Sequence, residues 1–412
     1  MNLYKELSKW VHFFFEPEKP YQINLIRAAS QNFLLWLVLP MQSIYLRSLG
    51  ASGSQVGWIT GLGGLIGGIL CFFLGTLVHK LGVKKIFMWG SLGIAVGGLL
   101  LAIAHSLLVA ISGIVIFLSF RYGIAGLCRT ICGTCLEDDI RARGMQLCDT
   151  LSAVPRLVAP SVSGVIVFLF GGLVASGIRP LYYIEFAGFC LIAFLVWRLF
   201  IEPRKIKEEI KKDGAGFRER FHQLFKQGNR LKSWILFRSL AYMPWYAALV
   251  YVPLFAKEVK HAGSFTVGGI QTAMWVGTLL FALPMGSLAD RHGRKRVTFV
   301  MILIYILSIL LFIFSPNRLV LVISGFFQGS VMLSMVTQSA MGIELIPIPF
   351  IGEWLGTMGL VKGVLALLSP AIAGLLWGTF GPFYTFYFVI ASSIIALPLL
   401  AIMPETLVKA EE

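Results

Sequence analysis

The chain is a succession of long apolar runs separated by short polar turns. Roughly 20 mostly apolar residues suffice to cross a bilayer as a helix. About twelve runs meet that measure, at 23–46, 55–78, 83–104, 107–135, 145–172, 181–201, 233–255, 266–288, 297–314, 319–345, 352–380 and 383–403. The pattern predicts an all-α membrane protein of twelve transmembrane helices. One long charged stretch, EPRKIKEEIKKDGAGFRERFHQLFKQGNRLK, separates the sixth run from the seventh. The expected organisation is an amphipathic segment at 1–21, a six-helix bundle at 22–201, a linker at 202–232, a second six-helix bundle at 233–403 and a tail at 404–412. In the opening segment, NLYKELSKWVHFFF can lay its lysines among headgroups while Trp10 and the phenylalanines dip into the acyl boundary.

Composition agrees. Of 412 residues, 57% are hydrophobic and 13% charged, where soluble domains carry about 25% charged residues; the mean hydropathy is +0.81. The net charge of +15 does not point to nucleic acid, because the basic residues cluster between apolar runs, where they set topology. Lys80, Lys84, Lys85, Arg141, Arg143, Arg291, Arg294, Lys295, Arg296 and the linker fall on one side, and the opposite loops hold few basic residues. Both termini and the linker are therefore expected in the cytoplasm, in a multi-pass protein of the cell membrane. The opening residues, with Lys5, Glu6 and Lys9 among aromatics, lack a signal-peptide pattern. The six cysteines sit in or beside apolar runs and read as reduced.

Two polar turns repeat. GTLVHKLGVKKI starts at Gly75 and GSLADRHGRKRV at Gly286, a shift of about 210 residues that marks an internal duplication. APSVSG in the fifth run is echoed by SPAIAG in the eleventh, and CLEDDIRARG after the fourth by GIELIPIPFIG after the tenth. Parallel halves of this kind place a binding site between them near mid-membrane.

GSLADRHGRKRV resembles the loop motif of the major facilitator superfamily, G-x-L-a-D-r-x-G-r-k-x, at Gly286, Leu288, Asp290, Arg291, Gly293, Arg294 and Lys295. Its partner matches at Gly75, Leu77, Lys80, Gly82, Lys84 and Lys85, with His79 where the family has Asp. APSVSG is similar to the fifth-span motif of the family's drug:proton antiporters, matching at Pro160 and Gly164, and Pro370 and Gly374 repeat it in the eleventh run; these residues are expected to bend helices and permit close contact. The fourth-span family motif is only partly present, at Arg121. The resemblance implies two six-helix bundles, a secondary transporter working by alternating access, and a gating role for the two loops. Asp290 would face the start of the fifth span, where a helix N-terminus favours negative charge. His79 cannot act so when charged, and Glu353 at the start of the eleventh span is the expected acid on that side.

Ionisable groups inside spans are costly and mark functional sites. Arg27 and Gln31 lie in the first span, Arg121 in the fourth, Arg156 in the fifth, Arg238 and Tyr242 in the seventh, and Lys362 in the eleventh. Gln271, Trp275 and Gln328 could add hydrogen bonds and stacking, as could Gln338. The mid-depth excess is positive, which favours an anionic ligand; the alternative is that these cations pair within the protein and staple helices. Glu185 and Asp149 are the candidate proton carriers. Cys128, Cys132 and Cys135 share one helix face, a pattern read as small-residue packing rather than a metal site. No Walker A loop, HExxH or GxSxG elbow is present, so neither ATP-driven transport nor a familiar enzyme is supported. The expected function is export of a small anionic or amphipathic organic molecule, coupled to protons or another ion, by a monomer without cofactor. The alternatives are an exporter of lipophilic cations, a metal exporter using the cysteine face, or a transporter-like sensor or scaffold.

Overall fold

The structure, a computed structural model, describes residues 19–125, 138–200, 231–344, 351–403 and 405. The amphipathic opening, Cys128, Cys132, Cys135 and most of the linker and tail lie outside this set. Thirteen helices are described: α1 (Lys19–Ser48), α2 (Gly53–Leu81), α3 (Val83–Ala102), α4 (Leu107–Ile124), α5 (Asp138–Leu169), α6 (Ala175–Leu199), α7 (Leu231–Glu258), α8 (Ser264–His292), α9 (Arg294–Ile313), α10 (Arg318–Gln328), α11 (Ser330–Glu344), α12 (Ile351–Thr379) and α13 (Pro382–Ile402). Eleven spans within them are long and apolar enough to cross a membrane. Helix α1 falls short of that measure because Gln22, Asn24, Gln31 and Asn32 dilute its apolar stretch.

The tenth run, continuous in the sequence, is broken at Gly329 into α10 and α11. Thr278 on α8 donates through Oγ1 to the Gly329 carbonyl at 3.2 Å. A Cβ at Gly329 would lie 2.5 Å from the Met274 carbonyl oxygen. The break therefore sits where α8 packs directly on the backbone, and the Thr278 hydroxyl joins the Met332 N–H (3.2 Å) on the Gly329 carbonyl.

Helices α1 to α6 pack mainly among themselves, as do α7 to α13, and the halves meet along two main seams, α2 with α12 and α5 with α8. The reason is legible in α2. Gly53, Gly57, Gly61, Gly64 and Gly68 recur every three or four residues and so share one face. A Cβ would lie 2.8 Å from the Leu367 carbonyl oxygen at Gly61, 2.6 Å from the Ala366 Cβ at Gly64, and 2.5 Å from the Gly363 Cα at Gly68. Each Gly loses about 1 kcal/mol of helix propensity against Ala. In a bilayer the backbone must still hydrogen-bond to itself, so the helix persists and the bare face admits its neighbour.

The two repeated turns share one geometry. Gly82 (φ 79°) and Gly293 (φ 98°) are single-residue links between consecutive helices, and a left-handed backbone favours Gly. At the second turn Glu405, beyond α13, accepts from the backbone N–H groups of Arg294 (3.0 Å) and Lys295 (3.1 Å). Lys295 Nζ returns bonds to the carbonyls of Ala401 (2.5 Å) and Met403 (2.8 Å). A carboxylate at a helix N-terminus satisfies orphan donors and complements the dipole. Glu405→Ala is expected to lower the thermal midpoint, by about 1 kcal/mol of lost capping, and Gly293→Ala to do so through its backbone angle; an unchanged midpoint in both variants would show that this turn is not held from the tail.

Candidate functional site

Between the halves lies a narrow cleft. Its polar wall is Gln42 and Ser43 of α1, Thr60 of α2, Arg121 and Tyr122 of α4, and Tyr246 of α7. Its apolar wall includes Leu39, Leu118, Leu249 and Val250. Arg121 Nη1, Gln42 Nε2 and Ser43 Oγ are buried without hydrogen-bond partners, and unmade hydrogen bonds of this kind are expensive. The Arg121 guanidinium carbon sits 5.0 Å from the Tyr122 ring centre.

Two helical stripes lead out of the cleft toward the end that carries Gly82 and Gly293. On α7, Arg238, Tyr242, Tyr246 and Val250 follow at intervals of four residues and share a face. On α12, Lys362 and Ala366 do the same, and Ala366 lines the cleft. Arg238 is 4% exposed. Its Nη2 donates to Tyr242 Oη (2.7 Å) and Ser339 Oγ (3.1 Å), while Nε and Nη1 have no partner. The Arg238 guanidinium carbon and Lys362 Nζ lie 4.8 Å and 5.3 Å from the same Tyr242 ring centre. Tyr242 stacks on Tyr246 with centroids 6.3 Å apart. Among the described residues, no ion pair engages Arg121, Arg238 or Lys362.

The other sequence candidates are placed elsewhere. Arg27 is buried on α1, donates to Asn24 Oδ1 (2.9 and 3.1 Å) and to Gln31, and stacks 3.9 Å over Phe87. Arg156 Nε donates to Asn32 Oδ1 at 2.8 Å and faces the Trp275 ring at 5.3 Å. Trp275 meets Trp36 edge to face across the halves at 4.9 Å. Gln271, Gln328 and Gln338 are buried, each with an unpartnered amide atom, and none lines the cleft. Glu185 is fully buried on α6 with neither oxygen bonded; the charge whose field reaches it is Arg121. The side chains of His79, Asp149, Asp290 and Glu353 lie outside the described set, as does the environment of Gly75. A Cβ at Gly286 would meet open space, and Arg291 is exposed.

The repeated Pro–Gly motifs stand at the two seams. A Cβ at Gly164 would lie 2.7 Å from the Ser264 carbonyl oxygen. A Cβ at Gly268 would overlap the Pro160 carbonyl, and one at Gly374 would overlap Tyr251 Oη. Ser161 Oγ and Thr272 Oγ1 share a hydrogen bond of 2.8 Å across the second seam. At the end of the molecule away from Gly82 and Gly293, Arg47 Nε donates to Glu258 Oε1 at 2.6 Å, joining the halves. Nearby, Tyr251 Oη donates to the Gly53 carbonyl at 2.8 Å, and Ser54 Oγ to the Gly374 carbonyl at 2.9 Å. Sequence reasoning missed this closure, because Arg47 and Glu258 stand 211 residues apart and nothing local pairs them. It also missed Tyr246, for which the signal was available in its four-residue spacing from Arg238 and Tyr242.

The sequence matches the family model described as Major Facilitator Superfamily over residues 26–271 and 239–411. It is 29% identical over 195 residues to the Quinolone resistance protein NorB of Staphylococcus aureus (strain bovine RF122 / ET3-1), a match covering 45% of this chain and 40% of that one. Three solved structures share the fold. The nucleoside transporter NupG has a TM-score of 0.71 at 17% identity, covering 92% of this chain and 97% of that one. A D-xylose-proton symporter has a TM-score of 0.69 at 14% identity, covering 93% and 98%. The human organic anion transporter TETRAN has a TM-score of 0.64 at 14% identity, covering 93% and 99%.

Proposed function

Because the chain belongs to the major facilitator superfamily, we propose that it is a secondary active transporter that exports a small anionic or amphipathic organic molecule by rocking its halves about the cleft. One observation carries the anion reading: Arg121, Arg238 and Lys362 gather on the cleft and its continuing stripes, none of them in an ion pair among the described residues. A buried charge is retained in a membrane protein where function requires it. The basic turns favour the cytoplasmic side at the Gly82 and Gly293 end, so the Arg47–Glu258 end faces outward. The partial likeness to NorB supports export. The unpartnered buried carboxyl of Glu185 supports a proton as the coupling ion.

A vesicle assay tests this. Liposomes containing the protein are expected to exchange carboxyfluorescein, an organic anion, faster than ethidium, a lipophilic cation. Arg121→Gln is expected to slow the anion about tenfold or more, the equivalent of one charge-assisted hydrogen bond. Preferential ethidium exchange that is indifferent to Arg121→Gln would instead support the cation exporter, and exchange of neither would support a sensor or scaffold.

A further inference from the structure

Resting on the anion reading, we infer that the ligand carries a compact doubly negative head, of the phosphate-monoester or short-dicarboxylate kind, bound between Arg238 and Lys362, with its apolar body in the cleft. Two cations flank one ring. Arg238 and Lys362 lie 4.8 Å and 5.3 Å from the Tyr242 centroid, so their separation cannot exceed the sum of those distances, about 10 Å. A phosphate or a pair of neighbouring carboxylates can engage both, and a single carboxylate leaves one charge uncompensated.

The geometry also selects a head rather than a free ion. Arg238 spends Nη2 on Tyr242 and Ser339, which fixes its plane and leaves Nε and Nη1 unbonded. Those two donors stand on opposite edges of the guanidinium, and either can meet an oxygen of the head. Lys362 adds a compact charge that can swing to the remaining oxygen. From this pair the stripes run through Tyr242–Tyr246 on α7 and Ala366 on α12 into the cleft, where Leu39, Leu118, Leu249 and Val250 offer an apolar wall. A ligand with a head at the stripes and a body in the cleft fills both. Glu185 is the acid whose field reaches Arg121, so Arg121 is partly compensated within the protein, and the pair with no acid among the described residues is Arg238 with Lys362.

The test uses the full chain in lipid nanodiscs and reads the thermal midpoint against concentration for phenyl phosphate, phthalate, benzoate and benzyltrimethylammonium. Phenyl phosphate, phthalate or both are expected to bind at least tenfold more tightly than benzoate, which separates the two kinds of head. Lys362→Gln is expected to erase that preference and Lys362→Arg to keep it. Equal binding of benzoate and both dianions, or a preference that survives Lys362→Gln, would overturn the dianion and leave the anion reading standing. Stabilisation by the cation alone, or by none of the four, would overturn both.

Discussion

Gly57→Leu is expected to force the α2–α12 seam apart and reduce transport at least tenfold. A Cβ at Gly57 would overlap the Pro370 carbonyl oxygen and lie 2.6 Å from Tyr251 Oη, so a branched side chain has no place while the seam is closed. Backbone lies on the far side, so the strain is not relieved by a rotamer change. Overpacking costs about 1–3 kcal/mol, which moves a two-state equilibrium by roughly five- to 150-fold. The sign is informative. In an isolated helix, replacing Gly by Ala or Leu gains up to about 1 kcal/mol of propensity, so a helix that merely sat near its neighbour would become more stable. Spin labels at Ser52→Cys and Thr379→Cys, both exposed, report the gap. The expected distance distribution lengthens in Gly57→Leu, shifts less in Gly57→Ala, and is unmoved in Gly286→Ala, where the added methyl meets open space. Unchanged distances together with transport within twofold of the parent would mean that the seam neither closes nor opens in the cycle.

The seam was half legible in the sequence. The glycine spacing of α2 is a period-matched stripe, and SPAIAG marked its partner α12, as APSVSG marked α5 at the other seam. What the sequence did not carry was pairing: that Gly57 meets Pro370 rather than a residue of its own half depends on contacts more than 300 positions apart, and glycine stripes say that something comes close without saying what. The turns behaved alike. Gly82 and Gly293 were visible as a repeat, and both prove to be single left-handed residues, whereas Glu405 lay in what read as a tail and closes on Arg294 only in three dimensions. Charges inside spans were easy to find, because each is conspicuous against apolar neighbours. Sorting them was not. Arg27 and Arg156 are held by Asn24, Gln31 and Asn32, local amides on α1 whose role depends on which face they share. Arg238 looked equivalent in the sequence and has two nitrogens without a partner.

That difference leads to a second large effect. Arg238→Met is expected to raise the thermal midpoint while cutting transport at least tenfold. A guanidinium that is 4% exposed, with two unbonded nitrogens and no described acid, carries a desolvation penalty that its bonds to Tyr242 and Ser339 offset only in part. Replacing buried ionic groups by apolar ones of similar volume is neutral or stabilising by about 1–4 kcal/mol. Ser339 Oγ keeps its bond to the Met335 carbonyl at 2.8 Å, so the substitution leaves that hydroxyl satisfied. Transport should nevertheless fall, because a lost charge-assisted hydrogen bond to the ligand is worth about 1.5–3 kcal/mol, or roughly ten- to a hundredfold in affinity. Opposite movement of stability and activity is the signature of a group kept for its ligand rather than for the fold. A staple would behave otherwise: the midpoint would fall with activity, and Arg238→Lys, which keeps the charge and loses the fork, would restore neither. If Arg238→Met lowers the midpoint, the guanidinium holds α7 to α11 and the anion site must be sought at Arg121; if the midpoint rises and the anion still moves at the parent rate, Arg238 takes no part in binding.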